Sequence, residues 1–230
     1  RHGRHEYGQN FLTDQSIIAT ITRLVVATEG PIMEIGPGDG ALTIPLARLG
    51  RPVTAIEIDA RLARCLSERL PSHVDVVSDD FLIYRLPTYP HVLVGNLPFH
   101  QTTAMLRRML HAPAWTNAIL LVQWEVARRR AGLGGATMMT AQWAPWFEFT
   151  LHARVPSRAF TPRPGVDGGI LTIYRREHPL LPSTQRRQFH ALVHRVYTGP
   201  GCGLAQILAR NTALGSARAA QAWLSRHGMT

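Results

Sequence analysis

The sequence contains no lysine. All 25 side chains counted as Lys+Arg are arginine, against 15 Asp+Glu, and the formal net charge is +10 over 230 residues. A surplus of this size points to a polyanionic partner, most often nucleic acid. Arginine suits that partner, because its planar fork pairs with phosphate and stacks on bases. A GC-rich coding sequence would produce the same bias and carry no functional meaning. Cysteine is scarce as well: Cys65 and Cys202 stand alone and neither belongs to a CxxC. That argues against a disulfide framework or a zinc site and fits a reducing cytoplasm. Long apolar runs are missing. Ala118-Ile119-Leu120-Leu121-Val122 is far too short to cross a bilayer, so no membrane partner is expected. Arg1-His2-Gly3-Arg4-His5 opens without the apolar segment of a secretory leader. There is no internal repeat and no low-complexity stretch. What is present is an ordinary 45% of hydrophobic residues, enough for one full core and a small appendage.

Hydrophobic spacing divides the chain. Asp14 to Ala27 reads as a helix, with Thr13 or Asp14 as its N-cap and Ile17, Ile18, Ile21, Leu24 and Val25 on one face. Short apolar runs at Ile32–Ile35, Val53–Ile58, His73–Val77, Val92–Gly95 and Ala118–Gln123 read as strands. Helical stretches through Leu42–Leu49, Ala60–Leu70 and Thr102–Leu110 separate them. This alternation implies a doubly wound, mostly parallel sheet with helices on both faces. Arg128-Arg129-Arg130 and Gly132 to Gly135 read as a basic, flexible break. Met138–Ala144 reads as a helix, and Phe147–Val155 and Gly169–Tyr174 as a closing hairpin. Trp143 and Trp146 are expected in the core. After Arg175 the pattern becomes helical at Thr184–Tyr197, Leu204–Arg210 and Ser216–Arg226. The expected division is a catalytic domain over 1–177 and a small helical, RNA-binding appendage over 178–230.

Three strand ends carry chemistry. Glu34-Ile35-Gly36-Pro37-Gly38-Asp39-Gly40 is a tight strand-to-helix turn whose glycines let a ligand approach the backbone. Gly36-x-Gly38-x-x-Ala41 with Glu57 about 20 residues on also satisfies a loose dinucleotide pattern. Glu34 ahead of the first glycine and Asp39 inside the loop would repel a pyrophosphate. They suit a ligand with a ribose and a cationic centre, and S-adenosylmethionine is the commonest. Glu57 can accept from ribose hydroxyls. Asp80, with Asp79 competing, can accept from the amine of the cofactor's adenine. Each also has a plain reading as a strand-end charge or a turn cap.

The sharpest stretch is Asn96-Leu97-Pro98-Phe99, after an apolar strand. Pro98 holds Leu97 extended and so aims the carbonyls. The Asn96 side-chain carbonyl and the Leu97 main-chain carbonyl can accept the two N–H groups of an adenine N6 amine. The nitrogen lone pair, otherwise spread into the ring, is then free to attack a sulfonium methyl. Phe99 can stack on the base. The displacement relies on positioning and electrostatics and requires no metal. Arg128, Arg129 and Arg130, with Arg154, Arg158 and Arg163, are candidates for a phosphate-binding rim. His190 and His194 lie one helical turn apart and read as ordinary packing or surface residues.

In this order, the motifs resemble the class I S-adenosylmethionine-dependent methyltransferases. More closely they resemble the ribosomal RNA adenine N6-methyltransferases, which include the erythromycin-resistance enzymes and the small-subunit RNA dimethylases. The resemblance covers nearly the whole chain and implies a seven-stranded Rossmann-like sheet. It also implies that Gln9, Asn10 and Leu12 of Gln9-Asn10-Phe11-Leu12 fold over the cofactor. Gly36, Gly38, Glu57, Ile58, Asp80 and Asn96 would contact it. Phe160, in Phe160-x-Pro162-x-Pro164-x-Val166, would flank the target base. Two departures stand out: Phe99 replaces a frequent Tyr, and Val166-Asp167-Gly168 replaces a Val-x-Ser common in the small-subunit enzymes. With the short helical tail, the late-motif departure leans toward the macrolide-resistance branch, a monomer acting on an unpaired adenine of 23S rRNA. The alternatives are a small-subunit dimethyltransferase and a noncatalytic RNA-binding assembly factor. A nicotinamide oxidoreductase would leave Asp39 and the Asn96 turn unexplained.

Overall fold

The computed structural model describes residues 10–200 and 203–228, so Gln9 and Cys202 lie outside the described residues. They fall into two compact units. Among the described residues, one comprises 10–135 with Phe147–Arg175, the other Ala136–Trp146 with 176–200 and 203–228.

The first unit is built on nine strands: β1 (Phe11–Leu12), β2 (Ile32–Ile35), β3 (Val53–Glu57), β4 (Val74–Ser78), β5 (His91–Asn96), β6 (Trp115–Gln123), β7 (Phe147–Val155), β8 (Phe160–Thr161) and β9 (Gly168–Arg175). Seven form one sheet in the order β4-β3-β2-β5-β6-β9-β7. Pairings from β4 through β6 are parallel, and β9 runs antiparallel to both β6 and β7. The unit's helices are α1 (Gln15–Val26), α2 (Thr43–Ala47), α3 (Ala60–Ser67), α4 (Thr102–His111) and α5 (Trp124–Arg130).

The buried strands explain the unbroken apolar runs, because a parallel sheet covered on both faces has no polar side to alternate with. Val92 and Val94 of β5 join one core cluster with Ile18, Ile21 and Val25 of α1 and Leu46 of α2. Leu93, Leu120 and Leu171 point the other way by the two-residue period, and all are fully buried. Gly95 lets β5 lie close to β2: a Cβ there would sit 2.7 Å from the Ile35 carbonyl oxygen. The expected hairpin forms, but β9 lies inside the sheet, between β6 and β7. Its first six residues are therefore all buried, and the exposed positions of the hairpin fall on the outer strand β7.

Asp14, rather than Thr13, caps α1, accepting from Ser16 N at 2.9 Å. The basic break at Arg128–Arg130 is in fact the last turn of α5. Glu125 in its first turn and three arginines in its last turn complement the helix dipole.

The second unit contains α6 (Met138–Trp143), α7 (Arg186–Thr198), α8 (Leu204–Asn211) and α9 (Ala217–Arg226). It corrects the expected boundary at 177/178, because residues 136–146 pack with the C-terminal helices instead of the sheet. Aromatic contacts explain why. The His190 ring of α7 meets Trp143 and Trp146 edge-on at 4.7 and 5.7 Å, and Phe189 meets Trp146 at 5.9 Å. Both tryptophans are buried, as expected of core residues. No helix among the described residues is long and apolar enough to cross a membrane.

Candidate active site

A cleft opens where β2 and β5 end, the place where an open α/β sheet offers its ligand site. Its lining comes from three separate stretches: Asn10–Leu12, Glu34–Leu42 and Asn96–Phe99. Of the expected residues, Asn10, Leu12, Gly36, Gly38, Asn96, Leu97, Pro98 and Phe99 meet there. Glu57, Ile58, Asp80, Phe160 and the candidate arginines are not part of this lining.

The glycine loop is held by a carboxylate. Glu57 is fully buried, and its two oxygens accept from Gly38 N at 2.9 Å and Asp59 N at 3.0 Å. Charge-assisted bonds of this kind fix a backbone strongly. Gly38 has φ +57°, and a Cβ on it would lie 3.0 Å from the Phe11 ring. Glycine is required there on both counts. Phe11 thus covers the loop, a role the sequence reading left unassigned. The next turn continues the support: Asp79 N donates to the Glu57 carbonyl at 3.0 Å, and Asp80 Oδ1 caps Leu82 N at 2.8 Å. Ile58 stands exposed at the end of β3.

Glu34, the penultimate residue of β2, is 1% exposed. Burial pushes its carboxyl up to about 8; neighbouring Glu57 and Asp39 add to the rise, and the nearby Thr43 hydroxyl opposes it. Its Oε2 has no hydrogen-bond partner among the described residues.

On the other side, the half-buried Asn96 donates its Nδ2 to the Asn10 carbonyl at 2.7 Å. This fixes the amide's orientation and leaves Oδ1 as the acceptor end. Leu97 N is tied to the Leu121 carbonyl at 2.9 Å. The Pro98 carbonyl accepts from Gln101 N and Thr102 Oγ1, opening α4. The Leu97 carbonyl takes no part in that cap. Phe99 meets Phe160 edge-to-face at 6.1 Å. Phe160 is only 2% exposed, so it braces Phe99 here instead of presenting a face to the cleft.

Phe160 belongs to β8, which pairs antiparallel with β1, Phe11 opposite Thr161 and Leu12 opposite Phe160. Thr13 adds its N–H and its hydroxyl to the Ala159 carbonyl at 2.8 and 3.1 Å. The leading segment and the late motif are therefore one piece. Two-residue strands carry no periodic signal, so sequence spacing could not reveal the pairing.

The arginine rim is only partly as expected. Three consecutive helical positions point about 100° apart and cannot line one edge together. Arg130 is turned inward and 9% exposed, and burial lowers its guanidinium. Arg128 pairs with Glu125 at 3.1 Å, and Arg129 is exposed. Arg154, stacked on Trp124 at 5.2 Å, pairs with Asp167 at 2.8 Å. The other Asp167 oxygen accepts from Ser157 N, and Arg163 donates to Ser157 Oγ. The bond from Ser157 N, the Arg154 guanidinium and the positive charge of Arg163 hold the Asp167 carboxyl below its usual range, against the opposing effect of burial. Arg158 is exposed. Asp167 is thus the organiser of the late loop, which the motif departure had only flagged.

A family profile described as "Ribosomal RNA adenine dimethylase" matches residues 1–226. The chain belongs to this family. A Corynebacterium diphtheriae protein named "rRNA adenine N-6-methyltransferase" is 61% identical over 210 residues, covering 91% of this chain and 83% of that one. The "Mycinamicin-resistance protein MyrB" of Micromonospora griseorubida is 50% identical over 225 residues, covering 97% and 71%. Among solved structures, one titled "Crystal structure of 23S rRNA methyltransferase ErmE" superposes with a TM-score of 0.88 at 36% identity, covering 96% and 91%. The ribosomal RNA adenine dimethylase family accounts for the sheet order, the glycine loop and the Asn96 turn together. The protein is an S-adenosylmethionine-dependent rRNA adenine methyltransferase. The cleft fits that cofactor: a glycine cradle that a Cβ would fill, an unpartnered buried carboxyl and a polarised amide converge in it.

Proposed function

We propose that this enzyme methylates N6 of an unpaired adenine in 23S rRNA and thereby confers macrolide resistance. The observation that carries the reaction is the Asn96 amide, locked by the Asn10 carbonyl at the mouth of the glycine-loop cleft. The likeness to ErmE and to a mycinamicin-resistance protein supports the large-subunit target.

S-adenosylmethionine supplies an electrophilic methyl group when bound. In this reading Glu57 and Asp80, on the turns behind the glycine loop, would receive its ribose and adenine, and Ile58 would flank the ring. Phe11 and Leu12 close over the glycine loop. Asn96 Oδ1 and the Leu97 carbonyl accept the two N–H groups of the target amine and turn its lone pair toward the methyl. Preorganised acceptors of this kind require no rearrangement as charge develops. Phe99 stacks on the adenine, steadied by the Phe160 edge. The proton left on nitrogen passes to water. Arg129, Arg158 and Arg163 receive the phosphates around the flipped base.

Mass spectrometry of ribosomal RNA from cells with and without the protein tests this reading. One N6-methylated adenine in 23S rRNA is the expected result, and a mark confined to the small subunit would overturn the assignment.

A further inference from the structure

The reaction as described leaves Glu34 without a role. The carboxyl stands on the penultimate residue of β2, lines the cleft and is almost wholly buried, with Oε2 unpartnered among the described residues. Among the described residues, the charged side chains that line the cleft are Glu34 and Asp39, both acidic. An unpartnered buried polar atom is costly, and a ligand that completes it removes the penalty.

We propose that Glu34 is the charge-selecting residue of the donor site: its buried Oε2 is the counter-charge that a cationic ligand recruits, so the site holds the sulfonium donor more tightly than the thioether product. The proposal rests on the S-adenosylmethionine reading of the cleft. Donor and product share an ammonium and a carboxylate; they differ by the single positive charge on sulfur. Methyl transfer therefore removes one positive charge from the ligand while its shape hardly changes. Shape alone cannot separate the two, but a carboxylate in a poorly solvated cleft can.

Protonation makes the selection reversible. The groups facing Glu34 are Glu57 from β3, Asp39 from the loop and the Thr43 hydroxyl from α2, and no cation is among them. With its carboxyl near 8, Glu34 is protonated in the ligand-free enzyme at neutral pH. A cation entering the cleft favours the ionised form, and the proton leaves to buffer. After transfer the sulfur is neutral, Glu34 recovers a proton from solvent, and the grip on the ligand loosens. The sign follows: below about pH 8 donor binding must expel a proton, so donor affinity rises with pH and then levels off, and product affinity rises less.

Titration calorimetry in two buffers of different ionisation enthalpy tests this, using S-adenosylmethionine and S-adenosylhomocysteine from pH 6 to pH 9. For the wild type at pH 7, donor binding should release close to one proton and product binding clearly less. In Glu34→Gln donor-linked release should vanish, and the donor-to-product affinity ratio should fall roughly tenfold and lose its pH dependence. Equal proton release by both ligands in the wild type, or an unchanged ratio in Glu34→Gln, would overturn the proposal. If the variant does not fold, the wild-type proton counts decide alone. Failure of both ligands to bind the wild type would overturn the donor reading itself, and the proposal with it.

Discussion

The two walls of the cleft are made differently. The donor wall, Glu34 to Leu42 with Glu57 behind it, comes from one β-α-β stretch and is held from within by a buried carboxylate. The acceptor wall is assembled from three distant stretches, Asn10–Leu12, Asn96–Phe99 and the strand containing Phe160. Its catalytic amide depends on a backbone carbonyl 86 residues away. A local wall keeps its shape through short loops, whereas an assembled wall exists only when the whole unit is folded.

The largest effect should come from breaking the acceptor wall at its chemistry. Asn96→Ala is expected to lower methylation by about 10³-fold, the scale of losing a preorganised acceptor, with RNA binding retained in a filter or mobility assay. Unchanged turnover would sink the mechanism. Next comes the donor wall. Glu57→Gln keeps the shape but loses the charge-assisted bonds to Gly38 and Asp59. It should cost about 2 kcal/mol in urea denaturation and weaken S-adenosylmethionine binding more than RNA binding. If RNA binding suffers most, the walls are not separable as described. A smaller effect is expected from Phe160→Leu, which removes the edge-to-face brace on Phe99. It should lower kcat about fivefold at unchanged donor affinity. The weakest pair tests the rim. Arg129→Ala should reduce the salt dependence of RNA binding by about one unit of slope. Arg130→Ala should leave that slope alone and lower the melting temperature, because this guanidinium is buried.

The same contrast explains what could be read in advance. The sheet, the glycine loop and Asn96-Leu97-Pro98-Phe99 all announce themselves by spacing within a few residues, and the structure brings these motifs together. Pairing of β1 with β8, the inward turn of Arg130 and the Asp167 hold on Ser157 depend on contacts between distant segments, which local patterning does not encode. The packing of residues 136–146 with the C-terminal helices is hidden for a similar reason: a short helix carries no mark of its aromatic partners on α7. The Phe99–Phe160 ring contact likewise joins segments far apart in the chain.

The short β1–β8 pair also dates the enzyme's birth. Leu12 and Thr13 can meet Phe160 and Ala159 only after the intervening chain has been made, a separation of 146 positions between Thr13 and Ala159. Domains fold as units as they leave the synthesising ribosome. A chain that has not yet reached the late loop therefore lacks the strand that β1 pairs with, and the acceptor wall stays incomplete until that loop emerges.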